Sequence, residues 1–304
     1  MVNRILLDTS SLMYRAFFSM PTTVTAPDGR PINALHGYLD MTARLIESRR
    51  PDECVHVYDA DWRPAPRVAI YEGYKANRPP DPEGLPEQFD VLRDVLDALG
   101  MAQAEAPGWE AEDAIGTLCA AARRSDRIDI VTGDRDLIQL VRDPVVRVLF
   151  TLRGVSELRV LDEAGVLEKY GVPASRYAEF ATLRGDPSDG LPGVRGVGEK
   201  TARTLVNTYA SLDELLADAS AEKRTGPPLQ RSPSLRAAIR DAAGYIRKMQ
   251  EVVPIRTDLD VKTWRAEPDE RALEEAAERH AVKGPLRRLR KALDGSEPRA
   301  AKSK

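Results

Sequence analysis

Three short apolar runs in the first half of the chain each end on an aspartate, at residues 5–8, 55–59 and 128–134. Segments with helical periodicity lie between them, at residues 35–48, 87–99 and 111–124. Strands that alternate with helices predict a parallel α/β sheet. Because ligands bind beyond the carboxyl ends of such strands, we expect Asp8, Asp59 and Asp134 to meet at one edge. One such aspartate would be a helix cap or a turn residue, but three in register predict a shared site.

Further carboxylates belong to the same predicted edge, and they are Glu110, Glu112, Asp113, Asp136, Asp186 and Asp189. The first three open a helical segment, where acids also suit the helix dipole. The last two lie in a Gly-Asp-Pro-Ser-Asp-Gly turn. So many neighbouring carboxylates cannot ionise together without a compensating charge. Since all-oxygen ligands select hard cations, the set predicts two or more Mg²⁺ or Mn²⁺ ions.

A glycine-rich stretch follows the last of these aspartates and precedes a helical pattern. Gly193, Gly196 and Gly198 let the backbone turn tightly and expose N–H groups, which suits a phosphate oxygen. Lys200 and Arg203 add positive charge at the same end of the helix. The pattern predicts a helix-hairpin-helix that grips a nucleic-acid backbone without regard to sequence. An isolated glycine run would more often be a surface loop, but two carboxylates adjoin this one.

Residues 61–82 form a basic and aromatic segment that begins beyond a carboxylate-ending strand and ends at prolines. Away from a site, such a segment would be a solvated surface helix. Beside a metal site, it predicts a mobile basic segment over the substrate. Lys75 and Arg78 are three residues apart, so a helix would direct both at a substrate phosphate.

Composition adds little to this interpretation. The formal net charge is −3, which neither supports nor excludes nucleic-acid binding. The two cysteines and three histidines have no spacing typical of a disulfide framework or a zinc site. The sequence has no membrane-length apolar run and no signal-peptide character at its N-terminus, so we expect a cytoplasmic protein without membrane contacts.

Six segments, taken in order, carry a resemblance to a known family. They are residues 7–17 (Leu-Asp-Thr-Ser-Ser-Leu-Met-Tyr-Arg-Ala-Phe), 58–60 (Tyr-Asp-Ala), 74–80 (Tyr-Lys-Ala-Asn-Arg-Pro-Pro), 110–118, 132–136 and 185–202. With them the chain resembles the structure-specific 5′ nucleases, or flap endonuclease family, from about residue 5 to about residue 260. Within that family it is similar to the 5′-exonuclease domain of bacterial DNA polymerase I. No polymerase domain follows, so a free-standing bacterial form is expected.

The resemblance implies a PIN-like parallel-sheet nuclease core with a helical helix-hairpin-helix DNA-binding module. We place the core at residues 1–170, with a helical arch at about residues 61–82, and the module at residues 171–265. A strand returning to the core is expected at residues 252–256. Residues 266–304 should form a helical or partly disordered basic tail.

The resemblance also implies roles for individual residues. All the carboxylates named above would bind metal ions, directly or through water. The catalytic set would be Asp8, Asp59, Glu110, Asp113, Asp134, Asp136, Lys75 and Arg78. The DNA contacts would be Tyr14, Arg15, Arg67, Tyr74, Lys75, Arg78, Gly193, Gly196, Gly198, Lys200 and Arg203. A potassium ion is implied at the hairpin.

Two positions depart from the family pattern. Glu112 stands where the family usually has aspartate, and its side chain is one methylene longer. Gly190 stands where asparagine is common. Neither change removes a carboxylate from the predicted metal site.

We therefore expect a monomeric, nucleoid-associated 5′-3′ exonuclease and 5′-flap endonuclease that depends on divalent metal ions and acts in replication and repair. Its expected partners are 5′-flapped, nicked and 5′-ended DNA, and RNA–DNA hybrids at RNA primers. One alternative is a non-catalytic protein that binds DNA structures, but the complete set of acidic residues argues against it. The other is a PIN-type ribonuclease, against which a duplex-gripping hairpin speaks.

Overall fold

The structure is a computed structural model that describes residues 2–222 and 227–296. Its strands are β1 (Asn3–Asp8), β2 (Glu53–Tyr58), β3 (Ala102–Glu105), β4 (Arg127–Thr132), β5 (Val146–Arg153), β6 (Glu157–Leu161) and β7 (Lys262–Trp264). The helices up to the hairpin are α1 (Thr9–Ser19), α2 (Asn33–Arg49), α3 (Ala65–Ile70), α4 (Leu85–Ala98), α5 (Ala111–Ala120), α6 (Glu163–Tyr170) and α7 (Tyr177–Arg184). Those after it are α8 (Glu199–Thr208), α9 (Leu212–Ser220), α10 (Pro227–Arg231), α11 (Pro233–Asp241), α12 (Ala243–Val252), α13 (Glu270–Arg279) and α14 (Lys283–Ser296).

The strands form one sheet in the order β6-β5-β4-β1-β2-β3-β7. The inner strands are parallel, whereas β6 and β7 run antiparallel to β5 and β3. Leu7 of β1 is level with His56 of β2 on one side and with Val131 of β4 on the other. This register brings the carboxyl ends of β1, β2 and β4 together, as the sequence predicts. The strand order reverses beside β1, which is where such sheets bind ligands.

Helices cover both faces of the sheet, and its central strands are therefore buried on both sides. Ile5 and Leu7 of β1 face one core, Leu6 faces the other, and all three side chains are fully buried. The first core includes side chains of α1, α2, α4, α13 and α14. The second includes side chains of α5 and of the helices from α6 to α12. A strand that packs on both faces reads as a continuous apolar run, which is the pattern of residues 5–7.

Most predicted helices agree with the structure to within a few residues. The segments predicted at 35–48 and 87–99 are α2 and α4, and the one predicted at 111–124 is the shorter α5. Asp162 caps α6 as its side chain accepts the N–H of Gly165 at 2.7 Å. No helix within residues 2–222 and 227–296 combines the length and apolar character needed to cross a membrane.

The strand predicted at residues 252–256 is wrong. These residues leave α12 and run along the core without pairing, and the N–H of Arg256 donates to Asp113 Oδ1 at 2.9 Å. The returning strand is instead β7, whose Trp264 is level with Gln103 of β3. The short apolar run before Arg256 packs in the core next to α5, so its hydrophobicity is explained by burial without a sheet partner.

The described part of the C-terminal segment packs against the core. Helix α14 lies along α2 and α13 contacts α4. Leu273 and Leu289 are buried there, and Arg288 Nε donates to Asp40 Oδ1 at 2.7 Å. Residues 270–296 therefore take the helical form of the expected tail, and their two helices are an outer layer of the first core. The basic residues at 302–304 lie outside the described residues.

Candidate active site

Asp8 and Asp134 are joined at the central strand ends by one hydroxyl group. Asp8 caps α1, because its Oδ1 accepts the N–H of Ser11 at 3.1 Å. Its Oδ2 accepts the hydroxyl of Thr132 at 2.6 Å. The same Thr132 oxygen accepts the N–H of Asp134 at 2.8 Å. Two predicted metal ligands from neighbouring strands are thus fixed by a residue outside the predicted ligand set.

The first turn of α5 adds Glu110, Glu112 and Asp113 to this edge. Each offers a carboxylate oxygen, these oxygens lie within 4.8 Å of one another, and all three residues are buried. Asp59, which follows β2, accepts the N–H of Ala111 at 2.7 Å and so fastens the turn to the sheet. The helix dipole accounts for acids in a first turn, but it does not account for burying three of them together.

Two short 3₁₀ turns supply the other carboxylates. Asp134 Oδ1 accepts the N–H of Asp136 at 2.9 Å, where one turn begins. Asp186 caps the other, Pro187–Asp189, and accepts the N–H of Ser188 at 3.0 Å. The pKa of Asp136 is raised well above its usual value by burial and then by neighbouring carboxylates, which are those of Asp134, Glu112, Asp189 and Asp186. Both turns and α5 therefore share one acidic site.

Burial makes the charge on this cluster unfavourable. It is the largest cause that raises the pKa of Asp8 to about 7 and of Glu112 to about 8. It also raises the pKa of Asp113 and Asp134. Removing a carboxylate from water favours its neutral form unless a cation compensates. A buried, all-oxygen donor set of this kind fits hard divalent cations.

Arg67 of α3 supplies part of the compensating charge inside the site. Its guanidinium donates to Glu110 Oε2 at 2.5 Å and to Asp113 Oδ1 at 2.7 Å. Its Nε donates to the carbonyl of Val252 at 3.0 Å. Only 2% of Arg67 is exposed, so the predicted DNA contact by this residue is wrong. It joins α3, α5 and the end of α12.

Tyr74 and Lys75 are also buried. Tyr74 Oη donates to Glu110 Oε2 at 2.6 Å, and the Lys75 ammonium group forms an ion pair with Glu110. The predicted helix carrying Lys75 and Arg78 is wrong, since residues 72–77 form turns and Lys75 has φ +52°. The burial of Tyr74 and Lys75 beside Glu110 leaves little surface for the DNA contacts predicted for them.

A cleft of about 1340 Å³ opens over the acids, and Tyr14, Arg15 and Arg78 line it. Tyr14 Oη donates to Asp81, and Arg15 donates to a backbone carbonyl of β5 at 3.2 Å. Arg78 donates to Asp189 Oδ1 at 3.0 Å while its side chain stays 37% exposed. These three predicted DNA-binding residues are thus within reach of a substrate in the cleft.

The turn at Gly190 packs tightly against residues 71–78. The N–H of Lys75 donates to the carbonyl of Asp189 at 2.9 Å. Gly190 has φ +72°, and a Cβ there would lie 2.3 Å from the carbonyl oxygen of Gly73. A side chain at this position would therefore collide with the backbone of Gly73, so the local packing of this chain favours glycine.

The predicted hairpin lies between α7 and α8. Gly196, Gly198 and Lys200 are exposed, and a Cβ at either glycine would meet no atom within 4 Å. Gly198 is the N-cap residue of α8 and no side chain caps that helix, which leaves its N-terminus open to a phosphate. The N–H of Gly193, in contrast, is already used within the protein, because it donates to Tyr245 Oη at 3.1 Å.

Arg203, the last predicted hairpin cation, is held by neighbouring groups. Its Nε donates to the carbonyl of Tyr170 at 2.8 Å, and its Nη2 donates to Glu199 Oε1 at 2.9 Å. The side chain is still 40% exposed. Lys200 is therefore the hairpin cation with the freer access to solvent.

With this geometry established, comparisons with known proteins identify the family. Residues 3–171 match the family model described as 5′-3′ exonuclease, N-terminal resolvase-like domain. Residues 172–278 match the one described as 5′-3′ exonuclease, C-terminal SAM fold. The chain belongs to the 5′-3′ exonuclease family. The predicted family, the exonuclease class and the α/β core with a helical module are confirmed.

Individual relatives agree with this assignment. The exonuclease is 44% identical over 317 residues to a 5′-3′ exonuclease of Mycobacterium tuberculosis, with 95% of this chain and 97% of that protein covered. It is 42% identical over 218 residues to DNA polymerase I of Mycobacterium bovis, covering 71% of this chain but 24% of that protein. A structure of the bacteriophage T5 flap endonuclease, a pseudo-enzyme–product complex with DNA and metal ions, matches with a TM-score of 0.63 at 15% identity, covering 97% of this chain and all of that one.

Two residues that position the acids of this exonuclease were not predicted from its sequence. Thr132 and Ser11 link the end of β4 to the start of α1 through two hydrogen bonds. Ser11 Oγ accepts the N–H of Gly133 at 2.8 Å, and the hydroxyl of Thr132 donates to Asp8. Ser11 could have been found as the third residue after an N-capping aspartate. Thr132 could have been found as the last residue of a strand that ends in Thr-Gly-Asp.

Proposed function

We propose that this exonuclease is a divalent-metal-dependent nuclease that removes 5′ flaps and 5′-ended strands from DNA, and RNA from RNA–DNA hybrids at primers. The observation that carries the proposal is the buried cluster of Glu110, Glu112 and Asp113 beside an open cleft that Asp8, Asp59 and Asp134 also line. The T5 flap endonuclease, whose structure contains DNA and metal ions, has the same fold and so supports the substrate class.

The acidic cluster would hold Mg²⁺ or Mn²⁺. When bound, a pair of such ions activates water and stabilises the charge on the transferring phosphate and the leaving oxygen. The ligands in this proposal are Asp8, Asp59, Glu110, Glu112, Asp113, Asp134, Asp136, Asp186 and Asp189. Around them, Thr132 orients Asp8, and Arg67 orients Glu110 and Asp113.

Cationic residues at the cleft would position the substrate. Arg78 has an exposed guanidinium beside Asp189, and Arg15 lines the cleft next to Tyr14. Either arginine can donate paired hydrogen bonds to a phosphate. Lys75 lies deeper, against Glu110, so it acts on the reacting phosphate only if that ion pair opens.

The hairpin would grip the duplex behind the cleft. Gly196, Gly198 and Lys200 are exposed residues whose backbone N–H groups and one positive charge would contact phosphates, and such contacts do not read bases. Potassium at this turn remains part of the proposal, and comparing duplex affinity in K⁺ and Li⁺ buffers tests it. We further propose a cytoplasmic, nucleoid-associated monomer with a core at residues 1–170 and a module at residues 171–265, whose last residues return to the core sheet as β7.

One set of cleavage assays tests the function. Matched 5′-flap, nicked and blunt duplexes are incubated with the protein in EDTA, Mg²⁺ or Mn²⁺. The proposal expects cutting of the flap near the junction and of the nick from its 5′ side, with either metal and not in EDTA. Binding without cutting would favour the non-catalytic alternative. An RNA flap on an RNA duplex cut faster than its DNA counterpart would favour the ribonuclease.

A further inference from the structure

The cleft carries two exposed aromatic side chains that the proposed chemistry does not use. Among the large apolar side chains that are exposed in the described residues, Phe18 and Trp62 are the aromatic ones, at 72% and 48% exposure. Both line the cleft above the acidic site. Exposed aromatic groups of this size in one cleft mark a surface that a ligand covers.

Neighbouring aromatic rings hold the side chain of Phe18 in position. Phe18 is near the end of α1, where it packs edge-on against Phe17 with ring centroids 5.4 Å apart. Its ring centroid is 6.5 Å from that of Tyr14. The aromatic face left open to solvent is therefore held by the helix and two neighbouring rings.

The residues on both sides of Trp62 hold its turn in place, one through its backbone and the other through its side chain. The N–H of Asp61 donates to the carbonyl of Trp109 at 3.0 Å. Arg63 Nε donates to the carbonyl of Tyr74 at 2.7 Å. These bonds connect the Trp62 turn to the segment that precedes α5 and to the turn at residues 72–77, in which Tyr74 and Lys75 are buried. The exposed side chain of Trp62 is thus carried by a turn that hydrogen bonds hold in place.

We propose that Phe18 and Trp62 form a stacking subsite for the unpaired bases of the 5′ strand. This inference rests on the proposed function, because it needs a substrate with a single-stranded 5′ segment. Nucleobases present flat apolar faces joined by a charged backbone, and aromatic side chains stack on every base without regard to sequence. Arg15 and Arg78 line the same cleft and provide the positive charge that the intervening phosphates need.

Binding of a flap with and without bases tests the subsite. Three fluorescent DNAs share one duplex and carry a normal 5′ flap, a flap of abasic residues, or no flap. Their affinities for the full chain are measured by anisotropy in EDTA, so that cleavage does not interfere. We expect Phe18→Ala and Trp62→Ala each to weaken binding of the normal flap by between about fivefold and about a hundredfold. Affinity for the abasic flap should stay unchanged.

Conservative and distant variants serve as controls. Phe18→Tyr and Trp62→Phe keep a stacking ring, so they should bind the normal flap like the wild type. Leu167→Ala removes an exposed apolar side chain of α6, which does not line the cleft, and should have no effect. If the alanine variants lost affinity equally for normal and abasic flaps, or lost none for either, the subsite would be overturned. The proposed function would still stand in that case, provided that the wild type cuts flaps. A wild type that neither bound nor cut flaps would overturn both.

Discussion

The hydroxyl of Thr132 donates a hydrogen bond to Asp8 Oδ2 at 2.6 Å, and Thr132 is fully buried beneath the acidic site. The same oxygen accepts the N–H of Asp134 at 2.8 Å. One side chain therefore holds the carboxylate of one predicted ligand and the backbone of another, on two neighbouring strands. Groups that orient a ligand contribute to metal affinity although they never contact the metal.

Thr132→Val should weaken Mn²⁺ binding about 10–100-fold, because the valine keeps the volume and removes the hydroxyl. Isothermal titration of Mn²⁺ into metal-free protein measures it. Thr132→Ser should bind metal nearly as the wild type does. Thr151→Val is the matched control, since Thr151 is also a buried strand residue and its hydroxyl has no hydrogen-bond partner in the described structure. Equal losses in both valine variants would exclude an orienting role for Thr132.

Arg67→Met should destabilise the metal-free protein by about 3–5 kcal/mol, because it leaves buried carboxylates without their cation. Urea unfolding in EDTA gives the free energy of unfolding. Arg67→Lys should not restore it, since a lysine cannot reach Glu110 and Asp113 with a planar pair of donors. Arg153→Met, which removes an arginine that is 87% exposed, should cost about 1 kcal/mol or less. A variant of Arg67 with normal stability and weak DNA binding would restore the DNA-contact role.

Lys75→Met should bind Mn²⁺ more tightly than the wild type, by severalfold or more. The Lys75 ammonium group pairs with Glu110 inside the predicted metal site, so it repels an incoming cation. We nevertheless expect Lys75→Met to slow single-turnover flap cleavage, because the variant lacks a donor to the reacting phosphate. The activation free energy should rise by roughly 2–4 kcal/mol. Arg78→Met, at the exposed side of Asp189, should change metal affinity much less. Unaltered Mn²⁺ affinity in Lys75→Met would show that the ion pair does not compete with metal.

Gly198→Val should weaken binding to unrelated duplexes equally, because backbone N–H groups contact phosphates and not bases. Gly198 suits this test better than Gly196, whose φ of +76° would strain any side chain. Gly295→Val, on α14, is the control at another glycine with open space around its Cβ position. Filter binding over a range of salt concentrations measures the effect, and the affinity should fall with salt. A loss confined to some sequences would mean that the hairpin reads bases.

The parallel sheet and its acidic edge could be predicted because the relevant signals are local. Apolar runs that end on Asp8, Asp59 and Asp134 specify strands and their carboxyl ends together. The glycines before α8 likewise mark a turn by their own backbone freedom.

The burial of Arg67 could not be predicted, because its partners come from distant parts of the chain. Its guanidinium meets Glu110 and the carbonyl of Val252, which are 43 and 185 residues away in sequence. No periodicity near Arg67 separates a buried ion pair from a DNA contact. The short strand β7 was missed for a similar reason, as it has three residues and forms only against β3.

The most direct test of the account is cleavage and binding of a 5′-flap duplex by the Asp134→Asn/Asp136→Asn variant. Rapid-quench measurements with saturating enzyme and Mg²⁺ give the cleavage rate, and anisotropy in EDTA gives the affinity. We expect cleavage to be lost while flap binding survives, because the hairpin and the cleft arginines do not need those carboxylates. The melting temperature of the metal-free variant should rise, since repulsion in the buried cluster is relieved. Wild-type cleavage by this variant would contradict the assignment of the acidic edge as the active site.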